Sequence, residues 1–280
     1  MLFTFSFQVF RYLWTGCMAM LVSASSVTAA EPRNYPIRPI TFVVPSVAGN
    51  VNDAVARLIG QELTKTWGQA VVVENRPGAG TTTGTKYVAK SPKDGYTALL
   101  TFTAHIQNPS LFPNIGYDPI KDFETVSLIA KSSVILAVSP DSPYKTIAQL
   151  VAAGHIKIGM IAVGTAMPLL QAGKIIPLAI TGEKRSELLP KVPTFLESGY
   201  KGFEPDAWMG LLFPAGTPKE YSELLSREIG RIVRLPEITT RLHGLVLEPV
   251  GNSPDEFARI LKNDMDKWSQ LIQQLGIKME

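Results

Sequence analysis

The sequence predicts a two-lobed α/β protein with mostly parallel sheets, and three observations carry that reading. Short apolar, β-branched runs at 40–44, 70–73 and 96–102 recur about thirty residues apart, the spacing of βαβ units. Two further apolar stretches, 126–138 (VSLIAKSSVILAV) and 208–213 (WMGLLF), bracket a second and shorter series of strands and helices. The composition, 45% hydrophobic and 18% charged over 280 residues, suits a chain that buries a substantial core.

The elements follow in order. Residues 40–44 form a strand buried on both faces, and Ala54, Val55, Leu58, Ile59 and Leu63 then recur at helical spacing. Asn52 and Asp53, at the start of that helix, are expected as its caps. Strands at 70–73 and 96–102 complete the first series, with right-handed parallel connections. The stretch 126–138 is too long for one ordinary strand. Its central Lys131-Ser132-Ser133 marks the point where the chain leaves one body for another. A helix at 147–153, a strand at 156–162, a helix at 167–172 and a strand at 176–180 make the second body. The return at 208–213 leads to a helix around 221–233. The chain closes on 255–275, where Phe257, Ile260, Leu261, Met265, Trp268 and Ile272 share one face. The expected division is a first lobe at 35–125 and 211–280 and a second at 126–210, joined by a hinge.

Residues 1–30 stand apart. One charge, Arg11, precedes an apolar stretch and small residues ending Val27-Thr28-Ala29-Ala30, which reads as a cleaved secretory signal. An uncleaved anchor is the alternative. The single cysteine, Cys17, lies inside that segment, so the exported chain has no disulfide and depends on its packed core. A formal charge of only +3, with no basic tract, argues against nucleic acid as a partner.

Catalytic signatures are thin. There is no G-x-S-x-G and no H-E-x-x-H, and His105, His155 and His243 are isolated from one another, which leaves no metal set. Ser142-Pro143-Tyr144-Lys145 fits S-x-x-K, but Pro143 opposes the helix such a serine needs. The glycines at 78, 80 and 84 resemble a dinucleotide loop, yet they follow the second strand and lack an acidic ribose partner. No cofactor is expected. Three loops follow strand ends of the first lobe, at 45–52, 75–80 and 103–108, where open α/β sheets hold ligands and helix starts favour anions. His105, just past a strand end, is a possible ligand contact.

The segments VVPSVAGNVNDAVARLIGQEL, VVVENRPGAG, KDGYTALL, NPSLFPNIGYDPIKDFETVSLIA, LQAGKIIPLAITGEKRS, LPKVPTFLESG and WMGLLFPAGTP together resemble the Bug-type substrate-binding proteins of tripartite tricarboxylate transporters. The resemblance implies a periplasmic-binding-protein-like fold of type II and a monomeric periplasmic receptor. Such a receptor closes on a small carboxylate and hands it to membrane permease subunits. It also implies that Ser46, Val47, Ala48, Gly49, Asn50 and Asp53 form a backbone clasp for a ligand carboxylate, with Thr103, Ala104 and Gln107 bordering it. Asn50 stands where a second glycine is usual, and Val47 and Ala48 where prolines are usual.

The second lobe departs from the family pattern. Ala152-Ala153-Gly154 runs directly into His155-Ile156-Lys157-Ile158, as if a block on the order of 50 residues, more than one βαβ unit, were absent between Gly154 and His155. Ile161 replaces a common acidic residue, and Thr165 keeps a small hydroxyl. A lobe so shortened offers half a clamp, and weak or lost affinity is the expectation. An exported sensory or interaction protein is the second reading. A periplasmic hydrolase, the third, lacks a nucleophile–base pair.

Overall fold

A computed structural model of the chain describes residues 35–112, 114–153, 159–182, 184–201 and 207–275. The expected signal segment at 1–30 with Cys17, His155, the junction between Gly154 and His155, and the first residues of the strand expected at 156–162 lie outside those residues.

The first series begins with β1 (Ile40–Val44), whose residues are almost all buried, followed by α1 (Val51–Trp67). Asn50 opens the helix by accepting the Asp53 N–H on its side chain, and Gly68 closes it in the left-handed conformation with its N–H on the Thr64 carbonyl. The cap is therefore Asn50, not Asn52. An Asx side chain one residue before the helix reaches the N–H of N3, and one inside it does not. Next come β2 (Val71–Asn75), a 3-10 turn (Ala79–Thr81), α2 (Thr82–Ala89), β3 (Thr97–Phe102) and α3 (Ala104–Leu111). The segment expected as a loop at 103–108 is thus mostly helix. Pro109 and the absence of apolar periodicity hid it.

The long stretch 126–138 is two strands, β4 (Phe123–Ser132) and β5 (Val134–Val138), broken at Ser133. Then follow α4 (Ile147–Ala153), β6 (Gly159–Ala162), α5 (Val163–Gln171), β7 (Ile176–Ile180) and the returning β8 (Ala207–Pro214). The chain ends with α6 (Lys219–Ile232), α7 (Pro236–Gly244), a two-residue β9 (Glu248–Pro249) and α8 (Pro254–Leu275).

Two sheets result. Six strands in the order β2-β1-β3-β8-β4-β9 make the first, and β6-β5-β7 the second. The two-lobed α/β architecture stands, with a small second lobe. The expectation of mostly parallel strands holds only for β1 with β2 and β1 with β3; the other pairings are antiparallel. Strand–helix–strand spacing fixes the relative direction of consecutive strands but not which strand lies between them. Here β8 returns from the second lobe and inserts between β3 and β4, and β5 lies between β6 and β7. Pairing also keeps all of β4, through Ser132, and β8, from Ala207, in the first sheet.

Both faces of the first sheet are covered. Val55, Ile59 and Leu63 of α1 and Leu225 and Ile229 of α6 pack with Ile40 and Phe42 on one face. Phe257 and Leu261 of α8 join Val88, Ile106, Leu99 and Leu212 on the other. Gly210 in β8 is required there, since a Cβ would sit 2.3 Å from the Phe257 ring. The second sheet is thinner, with clusters around Leu136, Ile147 and Leu178 on one face and Ile135, Val163 and Ala166 on the other.

Candidate functional site

A cleft of about 1380 Å³ lies between the two sheets. Its floor is the pair of crossing strands, through Lys131, Ser132, Ala207 and Trp208. The first lobe contributes the β1–α1 junction and the β3–α3 junction, and the second contributes β6 and the start of α5. One turn of the chain before β9 and the middle of α8, from Ile260 to Leu271, close the remaining side.

Six of the residues expected at a site line this cleft: Gly49, Asn50, Thr103, Ala104, Gln107 and Thr165. Four do not. Val47 is 62% exposed and Ala48 is exposed beside it, and neither lines the cleft. Ser46 instead gives its carbonyl to the Asn75 amide at 3.2 Å. Asp53 is buried behind the loop, where its carboxylate accepts the Gly49 N–H at 2.9 Å and pairs with Arg57. The Arg57 guanidinium, first, and the Gly49 N–H hold the Asp53 carboxyl below the usual carboxylate range, against the effect of burial. Asp53 consumes one of the loop's N–H groups and sets the shape of the rest.

The local sequence explains the geometry. Gly49 has φ +82°, a left-handed turn that glycine adopts without strain, and it swings the chain from β1 into α1. Asn50, at the position of an expected glycine, both caps α1 and faces the cleft. Thr103 accepts the Trp208 N–H on its Oγ at 3.0 Å, which ties the β3–α3 junction to the returning strand. Gly164 lets α5 approach the chain at Leu245, whose carbonyl would lie 2.7 Å from a Cβ.

Three helix starts therefore open onto one cleft: α1 at Asn50–Asn52, α3 at Thr103 and Ala104, and α5 at Gly164 and Thr165. Among the described residues no acceptor meets the backbone N–H of Val51, Asn52, Ala104 or Gly164. Unpaired first-turn N–H groups carry partial positive charge and suit an anion.

Sequence reasoning missed the wall formed by Asn263, Asp264, Lys267, Trp268 and Leu271 of α8. The apolar stripe of that helix showed that a face is covered, but not that Ile260 and Trp268 would line a cleft. Lys131, an ionisable residue inside an apolar run, was the available signal. Asp264 accepts the Trp208 indole N–H on Oδ2 at 2.9 Å. Burial raises its carboxyl above the usual range, opposed by that hydrogen bond and by Lys267 and Lys131.

Two expected candidates fall away. His105 is fully buried outside the cleft, stacked on Tyr117 and edge-on to Phe123. Burial lowers its pKa to about 4. Ser142 and Lys145 sit in a turn where Ser142 Oγ accepts the Tyr144 N–H, and Lys145 Nζ donates to the Pro140 carbonyl. Among the described residues no group of His, Cys, Asp and Glu could hold a metal, and no helix is long and apolar enough to cross a membrane.

Comparison with known proteins bears on this geometry directly. The sequence profile described as "Tripartite tricarboxylate transporter family receptor" matches residues 55–154 and again 149–277. The break between the two matched pieces falls where the internal deletion is expected. A UPF0065 protein of Agrobacterium vitis is 30% identical over 315 aligned positions that include 92% of this chain and 91% of the relative. That share is about 258 residues, so about 57 aligned positions have no residue here. Among solved structures, the periplasmic binding protein BugD superposes with a TM-score of 0.76 at 29% identity. Two Rhodopseudomonas palustris proteins are similar at 27% identity each: Rpa4515, solved with adipate (TM-score 0.77), and MatC, solved with malate (0.75). BugD and Rpa4515 each match 88% of this chain and MatC 85%, and all three are matched over 100% of their own length. The profile and these neighbours describe binding receptors, not enzymes.

Proposed function

The chain belongs to the tripartite tricarboxylate transporter receptor family, and from that premise we propose that it is a periplasmic receptor for a small carboxylate, which it delivers to the permease subunits of such a transporter. The observation that carries the reading is the convergence of three helix starts and two lysines, Lys131 and Lys267, on one interlobe cleft. A carboxylate placed there meets unpaired N–H groups at the β1–α1 junction, and Thr103, Gln107 and Thr165 offer further polar contacts. Relatives that bind adipate and malate make a dicarboxylate the reasonable first ligand.

The shortened second lobe sets how well the receptor closes. Closure is driven only by the difference in ligand contacts between open and closed states. With one three-stranded sheet facing the cleft, that difference is smaller than in an intact relative, and affinity is correspondingly lower. The secretory signal expected at 1–30 supports a periplasmic location.

The test is a thermal melt of the purified chain, alone and with small mono-, di- and tricarboxylates. A ligand at 100 times its dissociation constant adds about 2.7 kcal/mol, which for a chain of this size raises Tm by about 5–10 °C. One acid that shifts the melt supports the reading. A melt that no acid moves, at concentrations up to their solubility, would overturn it.

A further inference from the structure

Among the described residues lining the cleft, Asp264 is the one carboxylate, and a receptor for anions has no evident need of it. Its position is built. Trp208, 2% exposed, fixes Oδ2 through a 2.9 Å hydrogen bond from the indole, and the same indole packs edge-on to Phe257 in the core. The carboxylate is thus held by a side chain that cannot readily turn away. Its second oxygen, Oδ1, has no hydrogen-bond partner among the described residues. Lys267 on the same helix and Lys131 on the crossing strand act electrostatically on it.

We infer that Asp264 makes the cleft selective for small carboxylates that also carry a hydrogen-bond donor, a hydroxyl or an ammonium, which Oδ1 accepts. This rests on the carboxylate-receptor reading and narrows it. The ligand's carboxylate lies at the helix starts and its donor reaches across to the α8 wall. A ligand lacking the donor leaves Oδ1 facing the cleft without a partner, and any second carboxylate it carries is repelled there. A site that hydrogen-bonds a donor rejects the analogue lacking it more strongly than an apolar pocket would.

The experiment uses matched four-carbon acids: succinate without a donor, malate with a hydroxyl, aspartate with an ammonium. Calorimetric titration of the full chain should show malate or aspartate bound about tenfold or more tightly than succinate, the range expected for a hydrogen bond to a charged acceptor. In Asp264→Asn the amide oxygen still accepts from Trp208, but an NH2 donor replaces Oδ1. The ratio of donor-bearing to donor-free affinity should then fall toward one. A variant whose unligated melt shows a fold different from wild type is replaced by Asp264→Ser, for which the same fall in ratio is expected. Succinate bound as tightly as malate and aspartate by the wild type overturns this inference and leaves the carboxylate reading standing. An unchanged ratio in the substituted proteins also overturns it. Failure of all three acids, and of the wider panel, overturns both.

Discussion

The buried His105 makes stability depend on pH in a calculable way. Its Nε2 lies 2.9 Å from the Pro119 carbonyl, which can only accept, so Nε2 carries the hydrogen and the ring is neutral. A second proton would have to sit on Nδ1, which is buried and has no hydrogen-bond partner among the described residues. The folded state therefore resists protonation down to about pH 4, and an unfolded histidine takes the proton near 6.5. The folded pKa is depressed, so the unfolded chain binds the extra proton first. Stability is lost as pH falls from 6.5 toward 4 and the loss then levels off. Between pH 7.5 and pH 5 the linkage relation gives about 2 kcal/mol. Urea unfolding of the wild type and of His105→Gln at those two pH values isolates this part, because the carboxylates titrate alike in both proteins. The variant should lose about 2 kcal/mol less on acidification, whatever its stability at pH 7.5. Equal losses in the two proteins would refute the assignment of a neutral, solvent-free imidazole.

Two further outcomes follow from packing and from the loop. Gly210→Ala places a methyl 2.3 Å from the Phe257 ring and 3.0 Å from the Ser127 carbonyl, so stability should fall by about 1–3 kcal/mol, read by urea titration. Adding Phe257→Leu should return part of the loss, and a Gly210→Ala protein as stable as wild type would mean the two elements separate freely. Asp53→Ala removes the acceptor of the Gly49 N–H and the ion-pair partner of Arg57, at a cost of about 1–2 kcal/mol. It should also weaken carboxylate binding about tenfold, seen by titration, because the loop loses the brace behind it. Undiminished affinity would show that the loop holds its own shape.

How much of this was legible in the sequence varied with the kind of signal. The β1–α1 junction was plain, since a β-branched run followed by Val55, Leu58, Ile59 and Leu63 has one reading. The change of body at Lys131-Ser132-Ser133 was also plain, because no single strand runs that long. Which of Asn50, Asn52 and Asp53 capped the helix was not, as all three side chains suit the task and only backbone geometry chooses. The helix α3 was hidden by Pro109 and by the polar run around Gln107 and Asn108. Strand direction failed where chain from the other lobe is interposed, a non-local event that no local pattern records. The α8 wall failed for a related reason. Periodicity identifies the covered face of a helix, and Trp268 and Ile260 are covered in part by a cleft.

The pairing of β4 with β8 runs out to Ser132 opposite Ala207, so the second lobe is an excursion whose departure and return stand side by side. Whatever lies between those residues can shorten or lengthen without pulling on the strands that hold its ends, because the distance to be closed is already set by their hydrogen bonds. Loop-closure entropy changes only slowly with length, by about 0.6 kcal/mol for each doubling. A loss of several dozen residues from the excursion therefore leaves the remainder of the molecule nearly as stable as before. Such a topology separates the survival of the protein from the survival of its grip, and lets a lineage keep the one while it alters the other.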